Sequence, residues 1–332
     1  MGRHGWRNRV GDREPRRVNG PLPLVGGDMF VEEATCWICG HQQMRPLADA
    51  AFELSAYRHQ DPALAAYTGA RVALCRCREC GFAQPDRVPA LPGFFDRMYA
   101  QQWSAEWIAR EFEGGWKDLI FRNVLDGLEA RLPPDRRALL DVGAHAGRFL
   151  QLAQRRGWSV EGVEVNPRTA AHAEQQTGAR VHRMSALNLD AMGQRFDALT
   201  LTDVLEHIPD PLRMLGKAKS ALSTGGWLAV KVPCGPVQVL KERLRARVHR
   251  GYRPRLADNL VHVNHFSVRS LDLALNRAGF RNVRIEIGAP ECPHQSAIAN
   301  LLRLTIYRAG RRLPFGLYSP CALNLQAFAQ KP

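Results

Sequence analysis

The sequence predicts an α/β fold: a Rossmann-like, mostly parallel sheet of seven strands with helices on both faces, behind a small cysteine-bearing N-terminal domain. Three observations predict it. Strand-like and helix-like patterns alternate from residue 138 to the last residues. A short apolar run ends in an acid and leads through small residues into a helical pattern, LLDVGAHAGRFLQLAQ, as in a nucleotide-binding βα unit. Two knuckles of the same form, CWICG and CRECG, precede residue 82.

Each element has its own signal. ALLDVG (138–143) is the first strand, GRFLQLAQRRG (147–157) the helix after it, and SVEGVEV (159–165) the second strand. PRTAAHAEQQTG (167–178) opens with Pro167 and closes with Gly178, the usual asymmetry of helix ends. ARVHRM (179–184) is a weak strand and FDALTLT (196–202) a strong one. DPLRMLGKAKSALSTGG (210–226) reads as an amphipathic helix ended by Gly225 and Gly226. WLAVKVP (227–233) is the fifth strand. SVRSLDLALNRAGF (267–280) is a helix with Ser267 as its N-cap. RNVRIEIG (281–288) and ALNLQAFAQ (322–330) complete the seven strands. Units of this length wind a parallel sheet with helices on both faces.

The 332 residues suit one large domain and a small one. Residues 1–28 hold six arginines among many Gly and Pro and are expected to form a disordered basic tail. They carry no apolar stretch of the kind found in a secretory signal, and Met29 is a candidate start. Residues 29–92 contain five cysteines and form the small domain; residues 93–134 read as connecting helices, and 135–332 as the large domain. The aromatics Phe94, Phe95, Tyr99, Trp103, Trp107, Phe112 and Trp116 are expected to pack between the two domains. No apolar run reaches the length of a membrane span, which points to a cytoplasmic protein with reduced or metal-bound thiols. The net charge is +14, and only six of the 46 basic residues are lysine. That charge suits an arginine-biased composition better than it suits nucleic acid as a partner.

The nucleotide site lies at the ends of the first two strands. Asp141 and the loop Gly143–Gly147 end strand one, and Glu164 ends strand two, 23 residues after Asp141. An acid there can accept both hydroxyls of a ribose. A dinucleotide requires G-x-G-x-x-G, whereas the glycines here fall as G-x-x-x-G. An acid directly before the loop also suits a cation better than a pyrophosphate.

On these residues the sequence resembles the class I methyltransferases that use S-adenosylmethionine. Their first motif, acid-x-Gly-x-Gly-x-Gly, reads D-V-G-A-H-A-G here, with His145 in place of the middle glycine. A Cβ at that place resists positive φ. FDALTLTDVLEHIPDPLRMLGKAKSALSTGGWLAVKVP resembles the family's fourth strand, fourth helix and fifth strand. HVNHFSVRSLDLALNRAGF resembles the segment that follows in a large bacterial subgroup. The resemblance covers residues 138–288. It implies that Asp141, Gly143 and Gly147 hold the methionine part of the cofactor and Glu164 its ribose. Ser185 and Ala186 would grip the adenine, and Asp203 and Val204 would flank the sulfonium.

Four thiolates close a tetrahedral structural Zn(2+) site, and the two knuckles supply Cys36, Cys39, Cys77 and Cys80. The gap of 37 residues between Cys39 and Cys77 exceeds the common spacing, and Cys75 competes with Cys77. The resemblance extends here to bacterial methyltransferases of sugars and secondary metabolites with an N-terminal zinc ribbon. In them a GF-x-x-P stretch and a tyrosine-bearing helix follow, matched by GFAQP (81–85) and Tyr99. Cys234, Cys292 and Cys321 are scattered and read as structural.

Candidate bases near the acceptor are His207 in DVLEHI and His262 and His265 in HVNHF. An imidazole titrates near neutrality and suits proton removal from a hydroxyl. His262 is the expected base; His207 also suits ordering of its loop, and His265 a core position beside Phe266. The basic segment 238–255, with Lys241, Arg243, Arg245, Arg247, Arg250, Arg253 and Arg255, is either a clamp for an anionic acceptor or a solvated helix face. The reading is a methyltransferase of a small molecule such as a sugar or secondary metabolite, with oxygen the favoured acceptor atom. An RNA base methyltransferase and a catalytically inactive binding module are the alternatives. DVLEH lacks the Asn/Asp-Pro-Pro-aromatic motif of enzymes that methylate exocyclic base amines. The set Asp141, Gly143, Gly147 and Glu164 argues against lost cofactor binding.

Overall fold

The cysteine-bearing segment folds on two small sheets. In the computed structural model, which describes residues 28–101, 103–293 and 297–332, β1 (Phe30–Glu32) pairs antiparallel with β5 (Arg87–Pro89). Strands β2 (Met44–Ala51), β3 (Arg71–Cys77) and β4 (Ala83–Pro85) form an antiparallel sheet in that order. The expected basic tail, apart from Asp28, lies outside the described residues. Helix α1 (Pro62–Ala65) fills the long gap between the knuckles, capped by the Asp61 side chain, which accepts from the Leu64 N–H at 3.2 Å. Phe52, Leu64, Tyr67 and Leu74 bury themselves here against Phe94.

Three helices lead to the large sheet: α2 (Phe94–Ala100), α3 (Ala105–Gly114) and α4 (Asp118–Glu129). Arg97 of α2 makes a two-pronged ion pair with buried Asp61, at 2.6 and 2.8 Å, and so ties α2 to the cysteine segment. Ile120, Val124 and Leu128 form one apolar stripe along α4. The helix lies so close to the sheet that a Cβ at Gly127 would fall 2.0 Å from Phe328 Cζ.

All seven expected strands join one sheet. They are β6 (Ala138–Val142), β7 (Ser159–Val163), β8 (Arg180–His182), β9 (Phe196–Thr202), β10 (Leu222–Pro233), β11 (Arg281–Gly288) and β12 (Asn324–Gln330). Their order is β11-β12-β10-β9-β6-β7-β8, and only β12 runs antiparallel to its neighbours. Alternation along each strand serves two cores. Leu140, Leu199, Leu228 and Val230 face one, and Leu139, Ala198 and Ala229 the other. Helices α5 (Arg148–Gln154) and α6 (Pro167–Thr177) follow β6 and β7; α7 (Pro211–Ala221), α8 (Gly235–Val248), α9 (Val268–Arg277) and α10 (Ala297–Arg312) follow β9, β10 and β11.

One element departs from the sequence reading. The helix expected over 210–226 ends at Ala221, and Leu222 already pairs with Phe196 as β10. Gly225 and Gly226 lie in the register shift between Leu222 and Trp227. The signal they carry is that of a bulge rather than a helix end. Among the described residues no helix is long and apolar enough to cross a membrane.

Candidate active site

The carboxyl ends of the central strands open on a cavity of about 990 Å³. It sits where the chain leaves β6 for neighbours on opposite sides, the crevice in which doubly wound sheets take ligands. The loop after β6 comes close to the next wall: a Cβ on Gly143, at φ +79°, would lie 2.5 Å from Val204 Cγ2. His145 adopts φ +48° despite its Cβ. Its N–H donates to Glu164 Oε2 at 2.9 Å, and its ring packs edge-on against Trp107 and Trp103, with centroids 5.1 and 5.7 Å away. These contacts hold the backbone in a left-handed conformation that ordinarily favours glycine. Burial, with Lys117 adding, pushes the His145 pKa down to about 3 and keeps the ring neutral.

Glu164 is buried at the end of β7. Its Oε1 accepts the Asn166 N–H at 2.8 Å and its Oε2 that of His145, and the Thr169 hydroxyl and the Val165 N–H are further donors around it. Burial raises its pKa, and these N–H groups oppose the rise. Ser185 and Ala186 line the same cavity. Asp141 accepts the Thr200 hydroxyl at 2.6 Å, and burial pushes its pKa up to about 7. It borders a small recess of about 50 Å³ shared with Gly143, His145 and Lys117. Gly147 lines neither space. A Cβ there would fall 2.9 Å from the Ala173 Cα, so this glycine lets α5 approach α6.

The other end of the cavity is built by the loop after β9. Asp203, at φ +56°, receives the ammonium of buried Lys231 on Oδ1, and Lys117 Nζ lies 3.6 Å from Oδ2. Burial works against the charge on Asp203, but the two lysines outweigh it and hold the pKa well below the carboxylate range. Lys117 also lies 3.7 Å from Glu111. Glu206 is 2% exposed, and neither carboxylate oxygen has a hydrogen-bond partner among the described residues. Burial and the charge on Asp203 hold its pKa well above the ordinary value.

His207 turns Nδ1 to the Val261 carbonyl, with the Tyr99 hydroxyl 2.8 Å from the same nitrogen. A carbonyl only accepts, so Nδ1 carries the proton and Nε2 of the neutral ring has a free lone pair. The His262 ring lies 5.0 Å from that of His207, and its Nδ1 is 3.4 Å from the Gln238 amide nitrogen. Burial, with His207 beside it, pushes the His262 pKa down to about 3. Both rings line the cavity, whereas His265 does not. His265 is 2% exposed, exchanges backbone hydrogen bonds with Ala83 and sits 3.2 Å from Gln238 Oε1.

The aromatics expected to pack between domains do more than that. Tyr99, Trp103, Trp107 and Trp116 line the cavity, and Trp103 stacks on Trp107 at 4.1 Å. Lys117, Glu206 and Lys231 also line it, and nothing in the sequence singled them out. The basic segment reaches the cavity through Lys241 alone among the seven cations named from the sequence; Arg245 instead pairs with Glu242 at 3.0 Å.

The two knuckles meet. Sγ of Cys36 lies 3.6 Å from that of Cys80, and Sγ of Cys39 lies 3.5 Å from that of Cys77. All four sulfurs fall within 4.8 Å of one another, and Cys75 is outside the group. A tetrahedron of thiolates about 2.3 Å from zinc has edges of roughly 3.8 Å, so the spacing fits such an ion. Gly40 and Gly81, at φ +76° and +75°, close the two turns in the same way. The site is fastened to the large sheet's layer: Ser267 Oγ donates to the Cys80 carbonyl at 3.0 Å, and Arg277 to that of Ile38 at 2.7 Å.

A family model described as a methyltransferase domain matches residues 116–285. The chain belongs to the methyltransferase-domain family. The matched residues begin just before α4 and include every strand of the large sheet except the end of β11 and β12. The Ubiquinone biosynthesis O-methyltransferase of Cereibacter sphaeroides (strain KD131) is 36% identical over 104 residues, 30% of this chain and 42% of that protein. Its namesake from Coxiella burnetii is 32% identical over 108 residues, 30% of this chain and 45% of that protein. The chain thus spans less than half the length of these curated relatives. A SAM-dependent methyltransferase structure from Archaeoglobus fulgidus aligns over 69% of this chain and all of its own, at 17% identity and a TM-score of 0.46. S-adenosylmethionine fits the donor end of this methyltransferase domain. Gly143 allows the close backbone approach, and the Glu164 carboxylate on the cavity wall suits a ribose diol.

Proposed function

We propose that this protein is an S-adenosylmethionine-dependent methyltransferase acting on an oxygen of a small molecule, such as a sugar or secondary metabolite. The observation that carries the reading is that Gly143, His145 and Glu164 share one cavity with His207 and His262. A volume of about 990 Å³ is at the upper end for small-molecule sites and leaves room for a donor and an acceptor together. The names of the relatives support oxygen as the acceptor atom.

In this reading Asp141 and Gly143 hold the methionine part, Glu164 the ribose, and Ser185 and Ala186 the adenine, while Asp203 and Val204 stand beside the sulfonium. Gly147 contributes through the packing of α5 on α6. When bound, the cofactor supplies a methyl group on a good leaving group, so the chain needs to orient the acceptor and take its proton. The His207–His262 pair is the deprotonating end, and the lone pair on His207 Nε2 favours His207 over the His262 expected from the sequence. His265 holds Gln238 in place behind the pair.

Residues 29–92 are proposed to be a module stapled by Zn(2+) on Cys36, Cys39, Cys77 and Cys80, with residues 93–134 as connecting helices and 135–332 as the catalytic domain. The spacing of the four sulfurs supports this. RNA methylation is disfavoured because the arginines of 243–255 lie outside the cavity lining. A labelled-methyl screen tests the reading with matched alcohol, amine and RNA acceptors. Transfer to hydroxyl compounds is expected; label confined to RNA or to amines would overturn it.

A further inference from the structure

We propose that Glu206, His207 and His262 form a divalent-cation site at the acceptor end of the cavity. The inference rests on the reading of this cavity as a methyl-transfer site, and it adds a metal to which no thiolate contributes. Each of the three residues offers one ligand atom, and these atoms lie within 4.8 Å of one another. Both imidazoles line the open cavity, so coordination positions remain for an acceptor oxygen.

Charge balance points the same way. Glu111, Asp203, Glu206 and Glu291 face Lys117 and Lys231 here, so acids outnumber the lysines. Asp203 takes Lys231 and shares Lys117 with Glu111. Glu206 has no lysine of its own among the described residues. A buried carboxylate with two unpartnered oxygens is costly unless a cation or a proton neutralises it. The imidazole next to it is already oriented as metal-ligating histidines are. His207 gives its Nδ1 proton to the Val261 carbonyl, with Tyr99 beside it, and keeps Nε2 for a ligand.

Two imidazoles and one carboxylate suit manganese, iron, cobalt or zinc better than magnesium or calcium. A hydroxyl oxygen bound there would ionise more readily. With the imidazole lone pairs on the cation, the histidines act through the metal instead of as the base: the O–H bond breaks heterolytically, the pair stays on oxygen, and the proton leaves to solvent through the open cavity.

The test is cobalt and manganese binding to the full chain with its thiolate metal in place. One Mn(2+) per chain should bind beyond that metal, and Co(2+) should give weak ligand-field bands without thiolate charge transfer. Glu206→Gln should weaken Mn(2+) binding by about tenfold or more. Should that variant fail to fold, His262→Asn serves the same purpose, with S-adenosylhomocysteine binding as the check on folding. No Mn(2+) or Co(2+) binding outside the thiolates, or binding that Glu206→Gln and His262→Asn leave unchanged, would overturn the site. Methyl transfer that persists without an added cation, yet is lost in His207→Ala, would overturn the cation while leaving the methyltransferase reading intact. Loss of donor binding in the wild-type chain would strike that reading instead.

Discussion

The hydroxyl of Tyr99 lies 2.8 Å from Nδ1 of His207, and both groups donate to the carbonyl of Val261. Three segments far apart in the chain thereby fix one imidazole tautomer at the cavity wall. If the free Nε2 serves deprotonation, directly or as a metal ligand, His207→Ala should lower turnover by roughly 10² to 10⁴ with donor affinity unchanged. Tyr99→Phe removes one hydrogen bond of about 1 kcal/mol, about fivefold in rate. Methyl-transfer kinetics on both variants check this. Equal losses in donor affinity and turnover would make the pair structural.

In that role the same histidine is expected to set the acid limb of activity. Burial lowers the His207 pKa below its ordinary 6.5, and the Val261 carbonyl and Asp203 oppose the shift. The active neutral form therefore persists to more acid pH than a free imidazole would. A kcat/KM profile should begin to fall below about pH 6.5, and a limb centred above that value would contradict the assignment.

Burial also makes His265 a stability group. Its folded pKa is about 4 against 6.5 in an open chain. The unfolded chain thus binds the extra proton first, and the stability tied to neutral His265 is lost as pH falls from about 6.5 toward 4. His265→Asn should flatten that part of a plot of Tm against pH. An unchanged slope would assign the acid sensitivity to other groups.

The thiol cluster predicts about one zinc per chain. Cys36→Ser or Cys80→Ser should release it and loosen residues 30–92, because metal binding and folding are coupled in such modules. Cys75→Ser should keep it, since Cys75 lies outside the sulfur group. Elemental analysis of the three variants decides; zinc lost with Cys75→Ser and retained with Cys80→Ser would reverse the ligand set.

The large sheet was legible because its strands are buried on both faces and read as apolar runs bounded by Gly, Pro and acids. The placement of Asp141, Gly143 and Glu164 at or just beyond strand ends was legible from the same runs. The acceptor side was not. Lys117 meets Asp203 across 86 positions of chain, and Tyr99 meets His207 across 108, distances that no local pattern encodes. Positive φ at His145 was hidden as well, since the tryptophans and the Glu164 carboxylate that hold it come from elsewhere. Gly225 and Gly226 misled because helix ends and strand bulges favour the same residue.

Calorimetric titration of the full chain with S-adenosylhomocysteine tests the central claim most directly. Micromolar binding is expected, with none for NAD. Glu164→Ala should weaken it by roughly one to two decades, since hydrogen bonds to a charged acceptor contribute about 1.5 to 3 kcal/mol. Absence of binding to the wild-type chain, or tight NAD binding in its place, would contradict the account.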